Sequence, residues 1–192
     1  MKKILLLLLL ILPATGQAQQ YPWVFSLSGG GAALCDEQGC FGPTGWAASG
    51  SFGRHFTNTW AFELDLAVSR TNELLPARID PTGIIYVPEL QRTRSWGGTT
   101  FLATLGHLGA ESDFFVALGL VAVFERREVI APEGVFHEPS KNIGLKGGLS
   151  GGAGMNLWFS KGWGLRPEVR FYGTAGSLSG LRYTAGLIKK FS

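Results

Sequence analysis

Histidine, cysteine and glycine are the residue types in this chain whose spacing could signal chemistry. Three histidines occur in 192 residues, and His137 lies in Val135-Phe136-His137-Glu138-Pro139-Ser140. That stretch holds a hydroxyl, an imidazole and a carboxylate, the groups of a nucleophilic active site. Nearness along the chain does not make a triad, because the three roles demand a particular geometry. His55 and His107 sit beside short turns, where solvated imidazoles are ordinary. The chain is therefore read as having no catalytic residues and as not being an enzyme. Cys35 and Cys40 are spaced for a small local disulfide in an oxidising compartment, and two thiols cannot make a four-thiolate zinc site, so no metal is expected. Gly29-Gly30-Gly31 and the pairs Gly147-Gly148 and Gly151-Gly152 are followed by neither Lys-Ser/Thr nor a helix. They are not phosphate loops, and no cofactor is expected.

The remaining chemistry is ionic. Glu63, Asp65, Glu125, Arg127, Lys146, Arg166, Glu168, Arg170 and Arg182 are five basic and four acidic groups that alternate with apolar residues. In the stretch from Trp60, one face carries Trp60, Phe62, Leu64, Leu66 and Val68, and the other Ala61, Glu63, Asp65, Ala67 and Ser69. From Leu165, the residues Leu165, Pro167, Val169 and Phe171 oppose Arg166, Glu168, Arg170 and Tyr172. Alternation at period two means strands, each with one apolar and one polar face. A near-balanced set of charges can neutralise itself in an interior where a lone charge would be costly.

The elements that must position these groups are eight such runs, at 21–33, 45–55, 59–71, 90–105, 113–127, 142–159, 163–173 and 180–191. The fourth is the most ambiguous, with Phe101, Ala103 and Leu105 taken together as its apolar face. Connections after the first, third and fifth runs are long, and those after the second, fourth and sixth are short. The chain begins Met1-Lys2-Lys3, continues with the apolar run 4–12, and has Gly16 and Ala18 before Gln19. This is read as a cleaved signal peptide, 1–18, followed by a single domain, 19–192. With Lys2 and Lys3 removed, 15 basic residues face 14 acidic ones, a near-neutral balance that argues against nucleic acid as a partner. No later apolar run is long enough for a spanning helix, so any membrane crossing must be made by a closed barrel. Long loops on one rim and tight turns on the other fit an outer-membrane barrel with its turns in the periplasm. Side-chain volume agrees, since bulky apolar residues suit lipid and small ones suit an eight-stranded lumen.

Two stretches make the resemblance specific. Gly162-Trp163-Gly164-Leu165-Arg166-Pro167-Glu168-Val169-Arg170-Phe171 is similar to the penultimate strand, and Thr184-Ala185-Gly186-Leu187-Ile188-Lys189-Lys190-Phe191 to the terminal assembly signal, of small eight-stranded outer-membrane β-barrels. That family includes the transmembrane domain of outer membrane protein A and its opacity-protein-like relatives. The resemblance spans the mature chain and implies an all-β, eight-stranded antiparallel up-and-down transmembrane barrel. It also implies Gly186 and Phe191 as the assembly signal, and as partners the barrel-assembly machinery, periplasmic chaperones, outer-membrane lipid and lipopolysaccharide. Lys189 stands where that signal usually has an aromatic, and Ser192 follows the terminal Phe191.

The expected function is structural or loop-mediated binding, with a charge-plugged lumen. A small passive channel is the alternative, and a lipid-modifying barrel enzyme a more distant one. For an extracellular ligand the second long loop offers Leu74, Leu75, Arg78, Ile84, Ile85, Tyr86 and Val87, and the third Val129, Ile130 and Phe136. The stretch 84–87 also reads as the continuation of a hairpin. Arg92, Arg94, Arg126 and Lys141 are placed near the outer rim, where they could meet lipopolysaccharide phosphates. Trp60, Trp163 and Phe191 are expected at the periplasmic interface.

Overall fold

The computed structural model describes residues 22–35, 44–79, 83–107, 112–130, 140–174 and 179–191. Among the described residues ten strands run in chain order: β1 (Trp23–Cys35), β2 (Thr44–His55), β3 (Trp60–Leu74), β4 (Arg78–Ile79), β5 (Ile85–Tyr86), β6 (Glu89–His107), β7 (Ser112–Ile130), β8 (Lys141–Ser160), β9 (Trp163–Thr174) and β10 (Ser179–Phe191). Eight of them close into one antiparallel barrel in the order β1-β10-β9-β8-β7-β6-β3-β2, while β4 and β5 pair only with each other. Closure is made by the last strand on the first, with Trp23 opposite Phe191 and Cys35 opposite Ser179. No backbone edge is then left open around the barrel, which is what hydrocarbon requires. Following the pairing once round from Gly45 returns to β2 at His55, ten residues further on. Such a stagger corresponds to strands tilted by roughly 35–45° from the barrel axis.

The alternation decides which face is which. Along β3 the burial alternates from exposed Trp60 through buried Ala61, Glu63, Ala67 and Ser69, with Leu64 and Leu66 exposed between them. β9 does the same, burying Arg166, Glu168, Arg170 and Tyr172 and exposing Leu165, Val169 and Phe171. On β6, Phe101 and Leu105 face outward, as read from the sequence, while Trp96 and Leu102 point into the lumen. The turn between β8 and β9 is Lys161-Gly162, and Gly162 takes a φ of 81°, a left-handed backbone that favours glycine.

Several strands run further than their sequence pattern suggests. β3 continues to Leu74 and β7 to Ile130, so Leu74, Val129 and Ile130 are strand residues and not loop groups. β1 extends through Leu34 to Cys35. Residues 84–87 contain β5, whose Ile85 and Tyr86 pair with Ile79 and Arg78 in a small hairpin. β8 loses contact with β9 above Gly148, and residues 141–147 pair with β7 alone. Residues 72–74 likewise pair with β6 alone. A four-stranded wall of β3, β6, β7 and β8 therefore stands above the rest of the rim. Charged residues in this wall interrupted the apolar pattern, which is why the runs looked shorter; cross-strand hydrogen bonding does not need that pattern. One bulge, with Gly144 at φ 81°, shifts the register between Glu125 and Arg126 and bends β8 within the wall.

Candidate functional site

The lumen holds three tiers of charge. Lowest is Glu63 on β3, which accepts two hydrogen bonds from Arg166 Nη1 of β9, at 2.8 and 2.9 Å, across the barrel. Both side chains are almost fully enclosed, at 1% and 2% exposure. Ser51 on β2 donates to the same carboxylate at 3.0 Å and touches Ser26 at 2.8 Å. Arg166 Nε donates to Asn156 Oδ1 at 2.8 Å, and its guanidinium lies over the ring of Phe115, 5.1 Å from the centroid. Charge, amide and ring together stabilise this buried cation more than one carboxylate alone would, although its Nη2 has no hydrogen-bond partner among the described residues.

The middle tier joins β3, β9 and β10. Arg182 Nη2 donates to Asp65 at 3.0 Å and to Glu168 at 2.9 Å. Arg170 donates to Glu168 at 3.4 Å and to the hydroxyl of Thr100 at 3.1 Å. The two arginines thus share Glu168 between neighbouring strands. A cavity beside Asp65, Thr100, Arg170 and Arg182 measures about 10 Å³, the room of a single water.

The upper tier joins Glu125 and Arg127, both expected inside, to an arginine that was not. Arg94 was placed by the sequence reading at the outer rim, free to meet lipid phosphates; it is instead 2% exposed and inside. Its Nε donates to Glu125 at 2.6 Å and its Nη1 to the hydroxyl of Tyr172 at 3.1 Å. Arg127 donates to the other oxygen of Glu125 at 2.5 Å. Tyr172 stacks at 4.8 Å on Trp96, whose ring also carries Arg182. Arg94 shares parity with Trp96 on β6, so the signal was present, but assigning it needed the direction of a strand that is apolar on both faces. Arg92 pairs with Glu73 at 2.7 Å, also on the inner face. Lys146 has inward parity on β8 and joins none of the ion pairs among the described residues.

The expectation that bulky apolar residues face lipid and leave the lumen to small and charged ones is corrected as well. Trp96, Tyr172, Val121 and Val123 form one buried apolar cluster with Ala67, and Phe115, Leu102, Ala61 and Ala117 form another. Serines and glycines face the lumen from β1 and β2 across from them and from β8 between β7 and β9, so bulk on some strands is matched by its absence on others. A narrow barrel can be filled in this lopsided way, because only the sum of side-chain volumes at each level is constrained.

At the foot of the barrel Trp23, Trp60, Trp163 and Phe191 are all exposed outward. Trp23 stacks on Phe52 at 4.9 Å. Lys189 Nζ lies 4.6 Å from the centroid of the Trp163 ring. A cation that caps a girdle tryptophan and reaches the headgroups is tolerable in a lipid-facing position. His55 and His107 end β2 and β6 at this same rim, whereas the connection holding His137 leaves β7 at the opposite rim. His137, Phe136, Cys40 and residues 1–18 lie outside the described residues. Cys35 is buried at the top of β1, and Gly186 faces Ser28 in the β10–β1 closure.

A belt of outward apolar side chains around a hydrogen-bond-complete cylinder, filled by a charged interior, defines the architecture of an outer-membrane β-barrel. Solved structures of that class superpose on the chain. Neisserial surface protein A (NspA) has 11% identity, covers 89% of this chain and 97% of its own, and gives a TM-score of 0.58. The major outer membrane protein of Thermus thermophilus gives 0.55 at 12% identity, covering 88% and 99%. Ail of Yersinia pestis, solved with the heparin analogue sucrose octasulfate, gives 0.51 at 14% identity, covering 88% and 99%. At these identities the likeness is one of fold. No protein-family model and no curated protein sequence matches the chain.

Proposed function

We propose that this chain is a plugged barrel of the bacterial outer membrane whose work is done at its outward rim, by the wall and the long loops, and not by passage through its lumen. The observation that carries this reading is the buried ionic column, Glu63 with Arg166, then Asp65, Glu168, Arg170 and Arg182, then Glu125 with Arg94 and Arg127. Glu63–Arg166 and Asp65–Arg182 cross the interior between strands that are not neighbours, and Arg94 with Glu125 and Arg127 fills the level above them. A pore would have to break buried charge pairs, each costly to separate. Planar-bilayer recording tests it: the wild type is expected to stay closed, and steady, well-defined conductance would instead support the passive channel.

Export by the leader 1–18, recognition of Gly186 and Phe191 by the assembly machinery, escort by periplasmic chaperones and a Cys35–Cys40 disulfide complete the proposal. Ail was crystallised with a sulfated sugar analogue, and an extracellular ligand at the raised wall is proposed here by that analogy. The short turns are placed in the periplasm. In a cysteine-free background a thiol at Tyr86, in the β4–β5 hairpin, is expected to react with a membrane-impermeant label on intact cells, and a thiol at Lys161 only after lysis. The reverse pattern would invert the barrel. In the wild type, Cys35 and Cys40 are expected to resist alkylation until reduced.

A further inference from the structure

The outward face of the wall carries an arrangement that the plugged lumen does not explain. The register sets Arg70 of β3 opposite Thr93 of β6, and Thr93 opposite Arg126 of β7. Three neighbouring strands thus present arginine, threonine and arginine side by side on one rung, with the arginines about 10 Å apart at ordinary strand spacing. Both arginines are exposed, and Arg126 has only a loose contact with Glu128, 3.6 Å away with both side chains about half exposed, at 52% and 48%. Such a pair is worth little and leaves the guanidinium available.

Their depth is set by the fold. Arg70 lies ten residues along β3 from the girdle residue Trp60. At about 3.3 Å per residue and a tilt of roughly 40°, that is about 25 Å of height, the thickness of the apolar band. The rung therefore lies at the outer headgroup level. Below it, the outward residues of β6 are small, Ser95 and then Gly97, between Val68 and Leu66 on β3 and Phe124 on β7. Leu66 leans over Gly97, its Cδ2 within 2.9 Å of where a Cβ would stand.

We propose that Arg70, Thr93 and Arg126 bind the phosphate of an anionic membrane lipid, with an acyl chain lying along β6 beneath them. The occupant follows from the chemistry: two exposed guanidinium groups, one of them loosely paired with Glu128, and a hydroxyl at headgroup depth match phosphate oxygens, and the low surface at Ser95 directly below, bounded by Leu66 where it covers Gly97, matches a hydrocarbon chain. This rests on membrane residence, and the experiment keeps the two apart. The full chain is folded into phosphatidylcholine vesicles alone or doped with phosphatidic acid or with bisphosphorylated lipid A, and retained lipid is read by native mass spectrometry. Phosphatidic acid and lipid A, whose phosphates carry net negative charge, are expected to be retained about tenfold over phosphatidylcholine, whose phosphodiester is neutralised by its own choline, with roughly that factor lost in Arg70→Gln/Arg126→Gln. Glu128→Gln, which removes the competing carboxylate, is expected to raise retention, and Gly97→Leu, which fills the track against a flexible side chain, to lower it. Retention indifferent to the net charge of the phosphate headgroup or to the double substitution overturns the site. Displacement of the lipid by millimolar inorganic phosphate reduces it to an ion site and overturns the acyl track. A chain that enters no vesicle and shows no heat-modifiable band fails the barrel reading itself.

Discussion

Glu63→Ala is expected to lower the folding free energy by about 3 to 5 kcal/mol in a urea titration in lipid vesicles. The loss comes from what is left behind. Arg166 is 2% exposed, and without Glu63 its Nη1 keeps neither of its two carboxylate contacts. Asn156 and the Phe115 ring remain, and neither carries a charge. Ser51 loses its acceptor as well. Two comparisons separate this from general damage. Glu128→Ala at the half-exposed pair with Arg126 is expected to change stability by no more than about 1 kcal/mol. Glu63→Leu with Arg166→Met, which removes both charges, is expected to recover most of the loss, since replacing a buried pair by apolar side chains is often near neutral. If Glu63→Ala were as mild as Glu128→Ala, the lumen would have to be wet enough to solvate Arg166, and the plug would fall.

The second large effect is on the outer face. Leu66 is 68% exposed, midway between Trp60 and Arg70 on β3, and so lies near the centre of the apolar band. Leu66→Lys is expected to cost about 2 to 4 kcal/mol in the same titration, because an amine there cannot reach either headgroup layer. Lys189 is the contrast: it also borders lipid, but it lies at the foot, over Trp163. A cost for Leu66→Lys no greater than that of a rim substitution would mean that this face does not meet hydrocarbon.

How much could be read beforehand differs from strand to strand. The two faces of β3 and β9 were legible, because polar and apolar residues alternate strictly there and a strand has only two faces, although β3 runs three residues further than its pattern. Glu63, Asp65, Arg166, Glu168 and Arg170 therefore had known directions before any partner was known. β6 was legible in outline, its inner face carrying Trp96 and Leu102 as well as Arg94, so apolarity could not mark the outside. Partners were a different matter. Arg166 meets Glu63 from 103 residues away, and Arg94 reaches Tyr172 from 78. Those contacts depend on the ten-residue stagger of the closed sheet, which sets the level at which each inward side chain crosses the lumen.

By itself, then, the sequence determined the number of barrel strands, the outward face of those that alternate strictly, and the sorting of long and short connections, since each is a local consequence of period two and turn length. Only the tertiary structure decided that Arg94 belongs to the lumen, that the wall of β3, β6, β7 and β8 outgrows its neighbours, and that Arg70 and Arg126 flank Thr93 on one rung. The physical reason is that parity along a strand carries no information about register between strands. Register is set by closure, when hydrogen bonding and side-chain volume must be satisfied at every level around the barrel at once.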